Sequence, residues 1–183
     1  MKTSYLFLAD GFEEIEALAT VDVLRRAGMA VRTMSINANN RLATGAHGVT
    51  VTADLALDTA LLDDAQWLIL PGGMPGASNL AACRPLTTAL LAHHEKEAPI
   101  AAICASPSIV LAPLGMLDGR DAVCYPGMEN RNCGARWADA MVAHDGHIIT
   151  GRGPAAATHF ALAIVAATLG DDTAHEVAAG MLL

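Results

Sequence analysis

Short apolar runs alternate with segments of helical period along most of this chain, and the alternation predicts its elements. The apolar runs that we assign to strands cover residues 4–9, 29–36, 67–70, 100–103, 122–125 and 141–150. Segments of helical period predict helices over residues 13–27, 78–82, 85–97, 155–169 and 173–181, with a further helix beginning at 107–114. Strands that alternate with helices in this way are typical of an α/β fold, in which a mostly parallel sheet carries helices on both faces.

Glycine and polar residues mark where several of these elements end. Gly28 closes the first helix, because a residue without a Cβ atom readily caps the last turn. Asp145 and Gly146 divide the run at 141–150 into the two strands of a hairpin. The β-branched run at 49–52 is short and is expected at a sheet edge or in a hairpin. No repeat, low-complexity tract or linker interrupts the sequence, so we expect one domain over residues 1–183.

Composition and charge narrow the class of protein. The chain has 183 residues, 53% of them hydrophobic and only 4% aromatic, so its core must be mainly aliphatic. A formal net charge of −8 argues against nucleic acid as a primary ligand, because phosphate recognition needs clustered lysine and arginine. The N-terminal apolar stretch is too short for a signal peptide, and no apolar run reaches the roughly 18 residues of a membrane span. Because the four cysteines are widely spaced, we expect reduced thiols in a cytoplasmic protein that does not enter membranes.

The strongest chemical candidate is Cys104, which follows the apolar strand at 100–103 and comes just before a predicted helix. A strand-to-helix turn this sharp strains the backbone of its central residue and exposes the side chain, as in the nucleophile elbow of hydrolases. The amides of Ala105 and Ser106 at the helix start are expected to lower the thiol pKa from its usual value of about 8.5. The alternative is that Cys104 is a core cysteine packed as a small hydrophobe.

Carboxylates stand at another predicted strand end, in the opening turns of the first helix. Glu13, Glu14 and Glu16 all suit this position, because acidic side chains there complement the helix dipole. A glutamic acid that pointed to the top of the sheet beside a thiolate could instead donate and accept a proton. Glu16 is our candidate for that role, and its direction depends on where the helix begins, which the sequence does not settle.

A glycine pair, Gly72 and Gly73, follows the predicted strand at 67–70 and Pro71. The carboxyl ends of parallel strands meet at one edge of the sheet, where the ligands of open α/β folds bind, so this loop is expected near the cysteine. Its backbone amides could approach a substrate oxygen and form an oxyanion hole with the amide of Ala105. Glycine after a strand is also common in a simple turn.

Four sequence blocks occur here in the order found in a known family. They are residues 11–16, Leu70-Pro71-Gly72-Gly73, Ala101-Ala102-Ile103-Cys104-Ala105 and Gly151-Arg152-Gly153-Pro154. With these blocks the chain resembles the ThiJ/PfpI family, and it is most similar to the branch of the parkinsonism-associated protein deglycase and its bacterial relatives. The resemblance implies a flavodoxin-like sandwich, a homodimer, and a reactive cysteine on the nucleophile elbow.

The resemblance also implies roles for single residues. Cys104 matches the family's reactive cysteine, and Glu16 matches the glutamate that hydrogen-bonds it. Gly73 and Ala105 match the positions whose amides face the sulfur. Arg152 matches an arginine near the pocket mouth of this branch.

Two positions depart from the family's pattern. Protease-like members carry histidine directly after the cysteine, and here that residue is Ala105, so a peptidase or amidase loses most of its support. Many members of the nearest branch have histidine before the proline that follows the next strand, and here that residue is Tyr125. A neighbouring general base is therefore replaced by a phenol or is missing.

These observations predict a cysteine-dependent glyoxalase or deglycase that uses no cofactor and no metal. A Cys104 thiolate would attack a reactive carbonyl compound such as methylglyoxal, and Glu16 would move the proton that isomerises the adduct to a hydroxy acid. The alternative is an oxidative-stress sensor or redox-regulated chaperone, in which Cys104 is oxidised to a sulfinate. The expected partners are a small carbonyl substrate and a second copy of the chain.

The other titratable candidates are interpreted as structural. His93 and His94 lie near a helix end without another ligand at helical spacing, which argues against a metal site. Cys124 is expected to pack in the core, although it could be a second oxidisable thiol near the pocket. His144 and His147 flank the predicted hairpin turn and are expected to be exposed.

Overall fold

The computed structural model describes residues 2–183 of the chain. Its strands are β1 (Ser4–Leu8), β2 (Val31–Ser35), β3 (Leu42–Thr44), β4 (Thr50–Thr52), β5 (Leu55–Ala56), β6 (Leu68–Leu70), β7 (Ile100–Ile103), β8 (Asp121–Ala122), β9 (Arg136–Trp137), β10 (Val142–Asp145) and β11 (Ile148–Gly151). Within the described residues, seven strands form the main sheet in the order β10-β11-β7-β6-β1-β2-β5. Its neighbours pair in parallel except for β10 and β11, so the predicted mostly parallel sheet is confirmed.

Helices cover both faces of this sheet. They are α1 (Glu14–Arg26), α2 (Gly76–Ala82), α3 (Arg84–Glu95), α4 (Ala157–Leu169) and α5 (Asp171–Gly180). Helices α1 and α4 pack against each other and against one face, while α3 and the turns of residues 107–117 cover the other. The predicted flavodoxin-like α/β sandwich is therefore confirmed.

Alternate residues of the buried strands supply the two halves of the core. In β1, Leu6 and Leu8 belong to the half under α1 and α4, whereas Tyr5 and Phe7 belong to the half under α3. This division arises because successive side chains of a strand leave on opposite faces. Burial on both faces explains why the central strands are continuous apolar runs in the sequence.

Of two further predicted segments, one is confirmed and the other differs from the structure in helix type. The run at 49–52 forms β4, which pairs antiparallel with β3 in a hairpin outside the main sheet, one of the two places expected for it. The helix predicted to begin at 107–114 is instead a π-helical turn, Pro107–Leu111, followed by a 3₁₀ turn, Ala112–Leu114. Apolar composition marks the segment at 107–114 as buried without specifying its hydrogen bonds.

The strand predicted at 122–125 pairs only at its first residue, as part of β8. The backbone amides that follow donate hydrogen bonds outside β8. The Val123 amide donates to the Thr150 hydroxyl at 2.9 Å, and the Tyr125 amide donates to the Cys104 carbonyl at 2.8 Å. The segment therefore runs beside β7 and β11 without forming a regular ladder.

The β10–β11 hairpin forms at the predicted turn. His144 is exposed, as expected. His147 is half-buried, because its Nε2 lies 2.8 Å from Nδ1 of His94 at the end of α3, so the expectation that it is exposed is wrong.

Cys104 and Cys124 are buried, and all four cysteines are free thiols. The prediction that Cys124 packs in the interior is confirmed. No helix among residues 2–183 has both the length and the apolar character that crossing a membrane would require.

Candidate active site

Cys104 lies at the sharp turn that follows β7. Its backbone is in the left-handed region at φ 64°, which is costly for a residue with a Cβ atom. Two hydrogen bonds hold it there: its amide donates to the Gly151 carbonyl at 2.8 Å, and its carbonyl accepts from the Tyr125 amide at 2.8 Å. Neighbouring segments thus fix the strained turn that the sequence predicts.

The Cys104 thiol is more buried than its place at a strand-to-helix turn predicts, with 7% of the residue exposed. Burial and the neighbouring Glu16 carboxylate raise the pKa of this thiol to about 12, while the amides of Gly73 and Ala105 act to lower it. The predicted lowering of the thiol pKa is therefore wrong, because desolvation and the carboxylate outweigh the two amides.

Glu16 lies beside this thiol in the first turn of α1 and is fully buried. The helix start decides its direction: Glu13 is the N-cap, and its carboxylate accepts from the Glu16 amide at 2.7 Å. The Glu16 side chain reaches the end of β6, where Oε2 accepts from the Gly72 amide at 2.7 Å. Its Oε1 is buried without a further hydrogen bond of standard geometry among the described residues, and the Cys104 thiol interacts with the same carboxyl group.

The ionisation of Cys104 and that of Glu16 depend on each other. Burial raises the pKa of Glu16 to about 7, against the lowering effect of hydrogen bonds from the Cys104 thiol and the Gly72 amide. Because a charge on either group disfavours a charge on the other, the pair holds one negative charge and one proton above about pH 7. This arrangement can pass a proton to or from a molecule bonded to the sulfur.

Glycines allow the loops that carry these groups to approach. A Cβ atom on Gly72 would lie 2.5 Å from Cβ of Cys104 and 2.8 Å from Oε2 of Glu16, so a larger residue cannot fit between them. Gly73 has φ 88°, and its Cβ atom would lie 2.5 Å from the amide nitrogen of Glu13. The structure thus brings the predicted glycine loop against the cysteine and the glutamate.

Tyr125 and Arg152 line a neighbouring cavity of about 380 Å³. Arg152 forms an ion pair with Asp139, and Tyr125 is 47% exposed. Cys104 is not among the described residues that line this cavity, and the hydrogen bond that joins it to Tyr125 comes from the tyrosine backbone. The structure therefore places Tyr125 and Arg152 together, beside the Cys104–Glu16 contact but outside it. Gly72, the third predicted pocket residue, does not line this cavity and instead contacts Glu16.

Sequence reasoning missed a polar contact at the same edge, between Glu14 and His47. Glu14 Oε1 accepts from the His47 amide at 2.7 Å, and Oε2 lies 2.8 Å from the ring nitrogen Nδ1. Burial acts to raise the pKa of Glu14, but the hydrogen bonds from His47 outweigh it and lower that pKa, and the Glu14 carboxylate raises the pKa of His47. No local motif marks His47, which lies 33 residues away on the β3–β4 hairpin.

The same contact is part of a set of side chains with metal-ligand character. Three side chains each contribute one possible ligand atom, and these atoms lie within 4.8 Å of one another: Glu13, Glu14 and His47. The Glu13 carboxylate also caps the Glu16 amide, and both Glu14 oxygens are hydrogen-bonded to His47. The Glu13 contact caps α1, and the Glu14 contacts join α1 to the β3–β4 hairpin, so these structural roles account for the cluster.

Comparison with known proteins gives the family context of the site. The sequence model of the DJ-1/PfpI family matches residues 2–167. Protein DJ-1 homolog B of Arabidopsis thaliana is 38% identical over 158 residues, which are 86% of this chain and 36% of the plant protein. The chain spans less than half the length of that protein and of the related Arabidopsis DJ-1 homolog A. A deglycase of Pyrococcus abyssi is 33% identical over 148 residues, covering 80% of this chain and 87% of that protein.

Solved structures share the fold over the whole chain. A DJ-1 superfamily protein of Salmonella typhimurium, crystallised as a cysteine-to-alanine mutant, is 32% identical, with a TM-score of 0.91 and coverage of 100% of this chain and 98% of that one. Oxidized DJ-1 of Toxoplasma gondii is also 32% identical, with a TM-score of 0.90 and the same coverage.

Proposed function

This chain belongs to the DJ-1/PfpI family, and on that premise we propose that it is a cysteine-dependent, cofactor-free glyoxalase or deglycase. Its substrates would be small reactive carbonyl compounds, such as the 2-oxoaldehyde methylglyoxal, or their adducts. The observation that carries the proposal is the buried contact of Cys104 with Glu16, a nucleophile beside a carboxyl group whose pKa is about 7. The deglycase of Pyrococcus abyssi, a relative at 33% identity, supports the same chemistry.

The first step would form a carbon–sulfur bond. With the shared proton on Glu16, the Cys104 sulfur is a thiolate and attacks the aldehyde carbon of the substrate. Glu16 then gives its proton to the carbonyl oxygen, which produces a neutral hemithioacetal and leaves a carboxylate. The amides of Gly73 and Ala105 stabilise the sulfur while it carries negative charge.

The second step would move a proton within the bound adduct. The Glu16 carboxylate removes the proton from the carbon that bears sulfur, which leaves an enediolate and a protonated Glu16. Glu16 returns the proton to the neighbouring carbon while the hydroxyl proton moves between the two adjacent oxygens, which gives a thioester of a 2-hydroxy acid. Water then hydrolyses the thioester, which releases the acid and regenerates the thiol. A carboxyl group with a pKa of about 7 suits both directions of this transfer, because a general acid–base catalyst works best near the ambient pH.

Turnover of methylglyoxal, followed as lactate, tests the proposal. We expect Cys104→Ser to reduce turnover to background, and Glu16→Gln to reduce it by about 10²–10⁴-fold, the usual contribution of a general acid–base group. Cys124→Ser is the matched control, because Cys124 is a second buried thiol that takes no part in the proposed steps. A folded Cys104→Ser protein that still made lactate at the wild-type rate would reject the covalent mechanism.

A redox role is the second candidate, favoured by the oxidized form in which the relative from Toxoplasma gondii has been solved. In this chain, a sulfinate on Cys104 would accept from the Gly73 and Ala105 amides and from a protonated Glu16. Two equivalents of hydrogen peroxide would supply the two oxygen atoms. Mass spectrometry after mild peroxide treatment should then find two added oxygens on Cys104 and none on Cys124. An unmodified Cys104 under these conditions would exclude this role.

A further inference from the structure

A second cavity, of about 420 Å³, lies at the carboxyl ends of β1 and β2. Neither Cys104 nor Glu16 is among the described residues that line it. Its polar lining is made of Asp10, Ser35, Asn37, Asn40 and Asn79. Leu42, which is 50% exposed, contributes to an apolar wall. Open α/β sheets bind ligands at this edge, and a cavity with a few convergent polar groups on apolar walls is the usual form of such a site.

Two of the polar lining side chains keep an acceptor atom without a hydrogen bond. Oδ1 of Asp10 accepts from the Thr44 amide at 2.8 Å. Nδ2 of Asn79 donates to the Asp10 carbonyl at 2.8 Å. Among residues 2–183, Oδ2 of Asp10 and Oδ1 of Asn79 have no such partner, so each side chain is oriented by one atom and keeps the other as an acceptor.

Two other lining side chains keep a donor group without a hydrogen bond. Oδ1 of Asn37 accepts from the Asn39 amide at 3.0 Å, and Oδ1 of Asn40 accepts from the Leu42 amide at 3.0 Å. Because the oxygen of each carboxamide is committed to a backbone N–H, the NH₂ group of each is left to donate. The cavity therefore offers fixed donors on the β2 side and fixed acceptors on the β1 side.

The charge of the lining disfavours anionic ligands. No lysine, arginine or histidine is among the described residues that line the cavity, and Asp10 is the one charged side chain there. A phosphate or carboxylate would meet the Asp10 carboxylate without a compensating cation. A hydroxyl group both donates and accepts, so adjacent hydroxyls can bridge the donors and the acceptors at once.

We propose that this cavity binds a neutral molecule with vicinal hydroxyl groups, the chemistry shared by the ribose of a nucleoside and a free sugar. The proposal does not depend on the chemistry at Cys104, because the cavity and the catalytic pair have separate linings. The half-buried Cys83 lies in the same lining and provides a reporter for occupancy.

Protection of Cys83 from iodoacetamide, measured at each cysteine by mass spectrometry, tests the site. The probes are adenosine, ribose and AMP, each at millimolar concentration. We expect adenosine or ribose to slow alkylation of Cys83 several-fold and to leave the rate at Cys133, a half-buried thiol outside this cavity, unchanged. Protection by adenosine alone assigns a nucleoside, and protection by ribose assigns a sugar.

Two isosteric variants test the proposed contacts. Asp10→Asn keeps an oxygen for the Thr44 amide but replaces the cavity acceptor with a donor, and it should weaken binding about 10-fold or more. Asn40→Asp keeps the oxygen for the Leu42 amide and removes the donor, so it serves if Asp10→Asn does not fold. Asp64→Asn, at an exposed carboxylate paired with Lys2, is the control and should bind as the wild-type chain does.

Three results would overturn the proposal. One is the absence of Cys83 protection by all three probes. Another is tighter binding of AMP than of adenosine, which would show a cationic phosphate site. The third is unchanged affinity in the folded variants of Asp10 and Asn40.

Discussion

At the residue scale, desolvation has the largest effect on the pKa values of the two candidate catalytic groups, Cys104 and Glu16. Cys104 is 7% exposed and Glu16 is fully buried, and burial acts to raise the pKa of both. The amides of Gly73 and Ala105 oppose this effect on the sulfur without cancelling it. Burial that keeps the thiol protonated also keeps the carboxyl near the point of ionisation at neutral pH. The two side chains therefore act as one unit with a shared proton.

Burial of Glu16 predicts a specific dependence of stability on pH. Its pKa is raised from 4.5 to about 7 in the folded chain, so the folded state holds a proton that the unfolded state has lost between these values. The resulting stabilisation is present below about pH 4.5 and is lost as the pH rises through about 7, a change of about 3 kcal/mol. The free energy of unfolding, measured with urea at several pH values, should show this change as a difference between the wild type and Glu16→Gln. The contributions of the other carboxylates are the same in both proteins and drop out of the difference. A stability difference between the two proteins that does not change between these pH values would contradict the burial of the Glu16 carboxyl group.

Close packing at Gly72 predicts that a single methyl group is damaging there. Gly72→Ala would place a Cβ atom 2.5 Å from that of Cys104 and 2.9 Å from the Ile103 carbonyl oxygen. We expect a loss of about 1–3 kcal/mol in the free energy of unfolding, measured with urea. Gly180→Ala is the control, because its Cβ atom would meet nothing within 4 Å and it should leave stability unchanged or slightly higher. Equal stability of the two variants would show that the loop can move away from the cysteine.

At the element scale, the β3–β4 hairpin is tied to the loop that follows β1. The Gly11 amide donates to the Thr44 carbonyl at 2.7 Å, and the Ala46 amide donates to the Phe12 carbonyl at 2.8 Å. Glu14 adds a part-buried side-chain contact to the hairpin turn. The start of α1, which carries the candidate glutamate, is thus braced by a hairpin that is not part of the main sheet.

Loss of the Glu14 carboxylate should loosen this hairpin. Glu14→Ala leaves the His47 amide without its acceptor, and we expect a loss of about 1–3 kcal/mol in stability. Amide hydrogen exchange should accelerate at Ala46, His47 and Val49. Asp22→Ala removes an exposed carboxylate from the same helix, paired with Arg26, and is expected to cost less than about 1 kcal/mol. Unchanged exchange in the hairpin of Glu14→Ala would show that the backbone hydrogen bonds hold it alone.

At the scale of the whole molecule, apolar side chains are exposed beside the candidate site. Ile15 and Leu18 on α1 are 59% and 41% exposed, and Val49 on the adjacent hairpin is 50% exposed. The Val49 amide approaches Glu14 Oε1 at 3.5 Å, so the three side chains lie on neighbouring elements. Grouped exposed apolar residues are typical of protein interfaces. The homodimer implied by the family resemblance stays a prediction, and this surface is where we expect the second copy.

A charge in this surface should therefore prevent dimer formation. Leu18→Glu would bury an unpaired carboxylate in the interface, and light scattering after size exclusion should find a monomer where the wild type is a dimer. Leu91→Glu, at a leucine of α3 that is 39% exposed, is the matched control and should stay dimeric. A dimeric Leu18→Glu variant would show that the interface lies elsewhere. A monomeric wild type would show that the chain does not form the expected dimer.

Local patterns in the amino-acid sequence are enough to predict the α/β class, the central parallel strands and the place of Cys104 at a strand end. These features depend on near neighbours: apolar runs of strand length, helical periodicity, and a strand that passes at once into a turn. The hairpin at Asp145 and Gly146 was predictable for the same reason, since its turn residues stand next to each other. The 3₁₀ and π turns after Cys104 were not, because apolar composition does not specify which carbonyl an amide will reach.

Contacts made in the folded chain set the orientation, burial and pKa values of the candidate groups. They turn Glu16 to the sheet through the Glu13 cap, and they bury Cys104 so that the thiol pKa rises, the opposite of the direction predicted from the local turn. They also join Glu14 to His47 across 33 residues of sequence. These outcomes depend on contacts between segments far apart in the chain and on the removal of water from charged groups, neither of which a local pattern of residues contains.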